Sequence, residues 1–157
     1  MMEEKEKAWK TVSSKYLFRR PWLTVRCEDM LLPNGNHIPE YYILEYPDWV
    51  NTIAITKDGK FVFVRQYRPG LGRTSYELCA GVCDKEDASP LVSAQRELWE
   101  ETGYGKGNWR EYMVISANPS THTNLTHCFL ATDVEPIDHQ HLEDTEDLSV
   151  HLLTFEE

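Results

Sequence analysis

Three glutamates, Glu97, Glu100 and Glu101, occupy positions i, i+3 and i+4 of one segment of the sequence. In an α-helix this spacing places them on one face, where like charges repel each other by roughly a few tenths of a kcal/mol. They also fall in the C-terminal half of the predicted helix, where the helix dipole disfavours negative charge. Carboxylate oxygens grouped in this way suit a hard divalent cation such as Mg²⁺, which keeps positions for water and phosphate. The competing interpretation is a solvated acidic face with Arg96 as partial compensation.

The helix that carries these glutamates has recognisable ends. Ser89 can cap its N-terminus, Pro90 suits its first turn, and Gly103 can end it. A glycine-containing segment, Ala80–Cys83, precedes the helix and is expected to be a loop that leaves a strand. Three apolar residues of the helix share the face that should be buried: Leu91, Ala94 and Leu98.

The remaining elements are predicted to be mainly β-strands. Asn34-Gly35 favours a tight hairpin turn, and Asp58-Gly59 favours a second one. Phe61–Arg65 is apolar on both faces, so this strand should be central and covered on two sides. The predicted strands cover residues 24–32, 41–45, 50–56, 60–67, 112–115, 127–132 and 148–154. Strands with one helix in mid-chain indicate an α+β fold, with mixed sheets packed against helices.

Length and composition narrow the class of protein. The 157 residues predict one domain with a core that needs no disulfides or metal. With 16 Lys+Arg against 26 Asp+Glu, the net charge of −10 disfavours nucleic-acid binding. The sequence has no apolar run of the ~20 residues that a membrane helix needs. Its polar N-terminus does not resemble a secretory signal, so we expect a cytoplasmic protein with no membrane contact. Four cysteines are expected to be free thiols: Cys27, Cys79, Cys83 and Cys128.

Gly81 together with Arg96–Tyr104 resembles the signature motif of the Nudix hydrolases. The second half of the motif, Arg-Glu-Leu-Trp-Glu-Glu-Thr-Gly-Tyr, matches in full. The first half departs from it, because 14 residues separate Gly81 from Arg96 where the pattern has 13. Ala88 stands where the pattern has a glutamate, and Asp87 or Glu86 could substitute for it.

Further segments resemble the ADP-ribose pyrophosphatase branch of this family: Leu32–Gly35, Val64–Pro69, Gly72-Arg73 and Tyr76–Gly81. The resemblance implies a single Nudix domain over residues 1–157, built as an α/β/α sandwich with a mixed sheet. Residues up to about 48 would form antiparallel strands that pair two subunits into a homodimer, and residues 49–157 would form the core. Members of this branch usually continue into a further C-terminal helix, which would start near Phe155–Glu157.

The resemblance assigns a metal site and a role for the arginine of the motif. Glu97, Glu100 and Glu101 would bind Mg²⁺, or Mn²⁺ in its place, with help from the backbone carbonyl of Ala80. Arg96 would orient these glutamates by hydrogen bonds and not touch the substrate.

Substrate contacts and a general base are expected outside the motif. Arg68 is a candidate phosphate clamp, since a guanidinium matches phosphate oxygens in pairs. Glu77 would bind either metal or the sugar. Arg65, on an apolar strand, either faces the site or pairs with a carboxylate. The general base would come from a late acidic loop, with Glu146 as the first candidate and Glu143 as the second.

The reaction implied by the resemblance is Mg²⁺-dependent hydrolysis of the diphosphate bond of a nucleoside diphosphate sugar. ADP-ribose, split into AMP and ribose 5-phosphate, is the leading substrate, and GDP-mannose or UDP-glucose is the alternative. A Nudix-like module that binds ADP-ribose without cleaving it is a different kind of function, and an acidic interaction domain is a third. Because Glu97, Glu100 and Glu101 are all present, the sequence favours an enzyme.

Overall fold

The computed structural model describes residues 7–157, so the expectation about a secretory signal lies partly outside the described residues. One helix and ten strands follow one another along the chain: β1 (Lys10–Arg20), β2 (Leu23–Leu31), β3 (His37–Glu45), β4 (Trp49–Thr56), β5 (Phe61–Arg68), β6 (Arg73–Val82), α1 (Pro90–Thr102), β7 (Tyr104–Gly105), β8 (Asn108–Ile115), β9 (Thr126–Pro136) and β10 (Leu148–Leu153). They form two compact units, and the division falls after Tyr46, with Ser116–Asn124 belonging to the first unit.

The first unit is a three-stranded antiparallel sheet in the order β1-β2-β3. The predicted turn between β2 and β3 is confirmed, since Gly35 has a φ of 86° and its amide donates to the carbonyl of Leu32. Only glycine adopts this conformation at little cost, which explains the Asn-Gly pair. At the other end of β3, the amide of Leu44 donates to the carbonyl of Thr121 at 2.8 Å and so ties Ser116–Asn124 to this unit.

The second unit is a seven-stranded mixed sheet in the order β10-β5-β6-β4-β9-β7, with β8 paired to β9. The pairing of β4 with β9 is parallel, and the other pairs are antiparallel. The prediction of an α+β fold with a mixed sheet is therefore confirmed. Within residues 7–157, α1 is the one helix, and it is not long and apolar enough to cross a membrane.

Strand β6 changes its pairing partner along its length. It pairs with β5 up to Leu78, and from Cys79 onward it pairs with β4. Ala80–Val82, expected to be a loop, continues β6 instead and pairs with Trp49–Asn51. That expectation was wrong because the glycine at position 81 marks a close approach of a side chain within the strand, not a turn.

Helix α1 has the predicted ends. Ser89 accepts a hydrogen bond from the amide of Val92, and Gly103, in the left-handed conformation with a φ of 73°, donates its amide to the carbonyl of Trp99. Ala94 and Leu98 are fully buried, as predicted, among Val50, Val62, Ala131 and other core residues.

The buried face of α1 differs from the predicted one at two positions, Leu91 and Glu101. Leu91 is 37% exposed, at an open cleft beside Trp109 in the first helical turn, whereas Glu101 is only 5% exposed. Since Glu101 follows Ala94 by seven positions, or about two turns, it lies in line with Ala94 on the stripe that faces the sheet. The acidic and buried faces of the helix therefore overlap.

Candidate active site

Arg96 lies at the centre of a cluster of carboxylates. Its Nη1 donates to Glu97 at 3.0 Å and to Glu100 at 2.8 Å, so one nitrogen holds two of the predicted metal ligands. Its Nε and Nη2 both reach Asp87 at 3.1 Å, and Nη2 also donates to the carbonyl of Val82. Arg96 therefore links Glu97 and Glu100 of the helix to the end of β6.

Asp87, one of the two residues that could substitute for the missing glutamate of the motif, pairs with Arg96. Its side chain is largely buried and pairs with Arg96, whereas Glu86 and Ala88 are exposed. Asp84 lies farther out and reaches Arg96 at 3.3 Å. Of the two substitutes considered from the sequence, the structure brings Asp87 to the cluster.

Glu97 lies against the backbone of Gly81. A β-carbon built on Gly81 would overlap the carboxyl group of Glu97. Any other residue at position 81 would push this carboxylate away from the strand. Burial raises the pKa of Glu97, and the charges of Glu100 and Glu146 add to the shift while Arg96 opposes it.

Glu101 contacts β6 just beyond the point where this strand changes its pairing from β5 to β4. Its Oε2 accepts a hydrogen bond from the amide of Ala80 at 3.3 Å, and the thiol of Cys79 also contacts its carboxyl group. The pKa of Glu101 is raised to about 7, chiefly by burial and also by the charges of Glu97 and Glu146, while the two hydrogen bonds oppose the shift. The structure thus buries a carboxyl group beside other carboxylates.

Arg68 and Glu77 form a pair on the neighbouring part of the sheet. Nε and Nη2 of Arg68 donate to the carboxylate of Glu77 at 2.7–3.1 Å, and Ser75 and Gln66 donate to the same group. The bonds with Arg68 hold the pKa of Glu77 below its usual range. Glu101 is close enough for its charge to raise the pKa of Arg68, so this pair borders the glutamate cluster.

The other two predicted site residues differ in their placement. Glu146 lies in the exposed loop before β10, near enough for its charge to raise the pKa of both Glu97 and Glu101. Arg65 is exposed and lies 5.7 Å from the ring centre of Tyr76. Because side chains alternate along a strand, Arg65 points away from the face that carries Arg68. The structure therefore brings Glu146 to the cluster but does not bring Arg65 there.

Comparison with known families agrees with this geometry. Residues 46–157 match the NUDIX domain. The chain belongs to the Nudix hydrolase family. Residues 9–44 match the N-terminal domain of nucleoside diphosphate sugar hydrolases and lie within the first structural unit, which also includes Ser116–Asn124 from the NUDIX match.

Two relatives and one solved structure show how far the similarity of this Nudix chain extends. It is 31% identical to the ADP-ribose pyrophosphatase of Bacillus subtilis (strain 168), over 94% of this chain and 80% of that protein. It is 35% identical to the GDP-mannose pyrophosphatase of Escherichia coli (strain K12), over 48% of this chain and 42% of that protein. The crystal structure of an ADP compounds hydrolase superposes with a TM-score of 0.81 at 22% identity, covering 94% of this chain and 79% of that one, and confirms the fold.

The glutamate cluster of this Nudix domain fits a divalent metal ion. Glu97 and Glu100 share Nη1 of Arg96, and the charges of Glu97 and Glu146 act on Glu101, while Arg96 also pairs with two aspartates. Such a surplus of negative charge, with Glu101 buried, suits oxygen coordination of a hard cation. Family membership implies a divalent ion of this kind without identifying it.

Sequence reasoning missed one contact at the site. Cys79 is free, as the sequence predicts, and buried, and its thiol also contacts Glu101. Its alternation with Glu77 and Gly81 along β6, all on the face toward α1, is the signal that could have revealed this contact.

Proposed function

We propose that this chain hydrolyses the diphosphate bond of a nucleoside diphosphate sugar with the help of Mg²⁺, and that its substrate is ADP-ribose, which yields AMP and ribose 5-phosphate. The observation that carries the proposal is the buried glutamate cluster around Arg96, with the Arg68–Glu77 pair at its border. The B. subtilis relative, named an ADP-ribose pyrophosphatase, supports this choice of substrate.

Glu97, Glu100 and Glu101 would hold Mg²⁺, together with the backbone carbonyl of Ala80, and Mn²⁺ could take its place. Bound Mg²⁺ supplies charge for the diphosphate and lowers the pKa of a coordinated water. The protein's own contribution is to keep the carboxylates in position. Arg96 fixes Glu97 and Glu100 through Nη1, and the amide of Ala80 fixes Glu101.

Arg68 would hold a phosphate group of the substrate. Its bonds with Glu77 use Nε and Nη2, so Nη1 can face a phosphate oxygen while the guanidinium stays oriented. Glu77 would then act by positioning Arg68, with the sugar or metal as its other candidate contact. Phosphoryl transfer depends mainly on such positioning and on charge stabilisation.

Glu146 is the proposed general base. Its side chain is exposed to water, and it is near enough to Glu97 and Glu101 for its charge to raise their pKa values. It therefore lies beside the proposed metal ligands, where a nucleophilic water would be held. Its own carboxylate accepts a hydrogen bond from the amide of Glu143 at 2.9 Å, which fixes it within the loop. Glu143 is the second candidate.

GDP-mannose is the alternative substrate, supported by the E. coli relative, and UDP-glucose belongs to the same chemical class. A module that binds ADP-ribose without cleaving it is the competing function. The intact cluster of Glu97, Glu100 and Glu101 favours the enzyme, because binding alone would not need three carboxylates that repel the phosphates of the ligand.

We further propose that residues 1–157 act as one functional domain in the cytoplasm, as a homodimer. The dimer would form through the three-stranded sheet of the first unit, where large apolar side chains are exposed. Trp22 is 77% exposed at the turn between β1 and β2, and Phe18 is exposed on β1.

The direct test is a screen of ADP-ribose, GDP-mannose and UDP-glucose for hydrolysis, with Mg²⁺ and with a chelator. We expect Mg²⁺-dependent release of AMP from ADP-ribose. Glu100→Gln and Glu101→Gln should each lower kcat by at least about 100-fold, because a bound metal ion stabilises the charge of the transition state by several kcal/mol. Exposed Glu156→Gln is the matched control and should match the wild type. Tight binding of ADP-ribose with no turnover would favour the non-cleaving module instead.

A further inference from the structure

A second group of potential metal ligands lies outside the glutamate cluster, in the segment that follows β9. Asp138, His139 and His141 each offer one ligand atom, and these atoms lie within 4.8 Å of one another. Within residues 7–157, no other group of three or more histidine, cysteine, aspartate or glutamate side chains brings its ligand atoms this close together. Nothing in the proposed hydrolysis uses these residues.

The distances within the group suit a single ion. Asp138 Oδ1 lies 2.7 Å from Nδ1 of His139, and Asp138 Oδ2 lies 3.0 Å from Nε2 of His141. In a tetrahedral zinc site with bonds of about 2.0–2.1 Å, neighbouring ligand atoms lie about 3.3 Å apart. Small side-chain rotations would therefore replace the two His–Asp contacts by bonds to one ion.

The ring of His141 is already held in position. It stacks on the indole of Trp99, with ring centres 4.1 Å apart and an angle of 30° between the planes. The ring of His139 lies 4.3 Å from that of His141 and is 79% exposed, so an ion can approach from solvent. Preorganised ligands lose less conformational entropy when they bind an ion.

The backbone of the segment is also fixed. The amide of His141 donates to the carbonyl of Glu100 at 2.8 Å, and the side chain of Gln140 donates to the carbonyl of Glu101 at 2.7 Å. The amides of Ile137 and Asp138 both donate to the carbonyl of Gly103. The segment thus covers the last turn of α1 and satisfies carbonyls that the helix leaves unpaired.

We propose that Asp138, His139 and His141 form a binding site for a transition-metal ion of the Zn²⁺ class, separate from the Mg²⁺ site at the glutamates. Two imidazoles and one carboxylate favour Zn²⁺, Co²⁺ or Ni²⁺ over Mg²⁺, which prefers oxygen ligands alone. The remaining coordination positions would be filled by water. An ion at this site would link the end of α1 to the segment that leads to Glu146.

The site can be tested by Zn²⁺ titration of the whole chain in excess Mg²⁺, which occupies the glutamates. We expect one Zn²⁺ ion per chain, bound at least about tenfold more weakly in His139→Ala and in His141→Ala, equal to ~1.4 kcal/mol. His37→Ala is the matched control, because His37 also pairs with an aspartate, Asp29 at 2.8 Å, but is not part of a group of three metal-ligating side chains. Equal Zn²⁺ affinity in all four proteins, or no Zn²⁺ binding by the wild type, would overturn the proposal.

Tryptophan fluorescence gives an independent measurement of position. Co²⁺ bound at His141 should quench the indole that stacks on it, so Trp99→Phe should lose most of the quenching that the wild type shows. Glu101→Gln, which alters the other site, should keep it. Quenching that is unchanged in Trp99→Phe would place the ion elsewhere and contradict the assignment.

Discussion

The carboxyl group of Glu97 lies directly over the α-carbon of Gly81, in the space that a β-carbon would occupy. Gly81 belongs to strand β6, and Glu97 belongs to helix α1. The glycine therefore sets how closely the helix carboxylate approaches the strand, and it has this effect without needing a positive φ.

Gly81→Ala should lower kcat by displacing Glu97 while leaving the fold intact. We expect a loss on the order of 100-fold, since even small misplacements of a catalytic group have large effects. Gly70→Ala is the matched control, because a β-carbon there meets no atom within 4 Å. Steady-state kinetics with far-UV circular dichroism would check both variants. Wild-type kcat in Gly81→Ala would show that the contact has no catalytic role.

The raised pKa of Glu101 predicts how stability depends on pH in the metal-free protein. Burial raises this pKa to about 7 from an ordinary value of 4.5, so the folded state holds the proton more tightly than the unfolded state. The tighter binding of this proton stabilises the folded state fully below about pH 4.5, and the stabilisation is lost as the pH rises to about 7.

Glu101→Gln has no proton to lose, so its stability relative to wild type should increase across that window, by up to about 3 kcal/mol. Urea unfolding in a chelator at several pH values would measure the difference. The exposed Glu143→Gln should follow the wild type at every pH. A constant difference between Glu101→Gln and wild type would mean that Glu101 titrates normally.

Asp87 should matter more for activity than its neighbours in the loop. Asp87→Ala removes two hydrogen bonds to Arg96, and we expect kcat to fall by roughly tenfold, the effect typical of losing a group that orients metal ligands. Asp84→Ala is the control, since that side chain is more exposed and reaches Arg96 at 3.3 Å. Ala88→Glu should change little, because Asp87 already pairs with Arg96. A gain of about 100-fold from Ala88→Glu would instead identify the natural protein as a weakened hydrolase.

The homodimer predicts a mass near twice the 18.3 kDa of one chain. Light scattering at micromolar concentration would measure it directly. Trp22→Ser should shift the equilibrium toward the monomer, because it removes exposed apolar area from the first unit. Phe155→Ser, which removes an exposed aromatic ring from the second unit, should not. A wild-type mass of 18.3 kDa would refute the dimer.

The elements with strong local signals were predicted well from the sequence. Ser89 and Gly103 define the ends of α1 because capping depends on residues close in sequence. The same is true of the turn at Gly35, whose φ of 86° follows from a single Asn-Gly pair.

The burial of Glu101 and the exposure of Leu91 could not be predicted in this way. Helical periodicity assigns apolar residues to the core, but the structure turns the carboxylate of Glu101 inward, where it accepts a hydrogen bond from the amide of Ala80 on β6. The contact of His141 with Trp99 joins residues 42 positions apart, and no local pattern indicates it. Tertiary contacts of this kind decide where site residues meet.

Gly103 connects the end of helix α1 to the segment after β9 by hydrogen bonds. Its carbonyl accepts from Ile137 and Asp138, and a β-carbon at this position would overlap the carbonyl of Asp138. If the last turn of α1 opens, the hydrogen bonds that hold residues 137–141 against it are lost as well. The end of the helix that carries Glu100 and Glu101 and the segment of Asp138, His139 and His141 are therefore expected to open together in one local unfolding step.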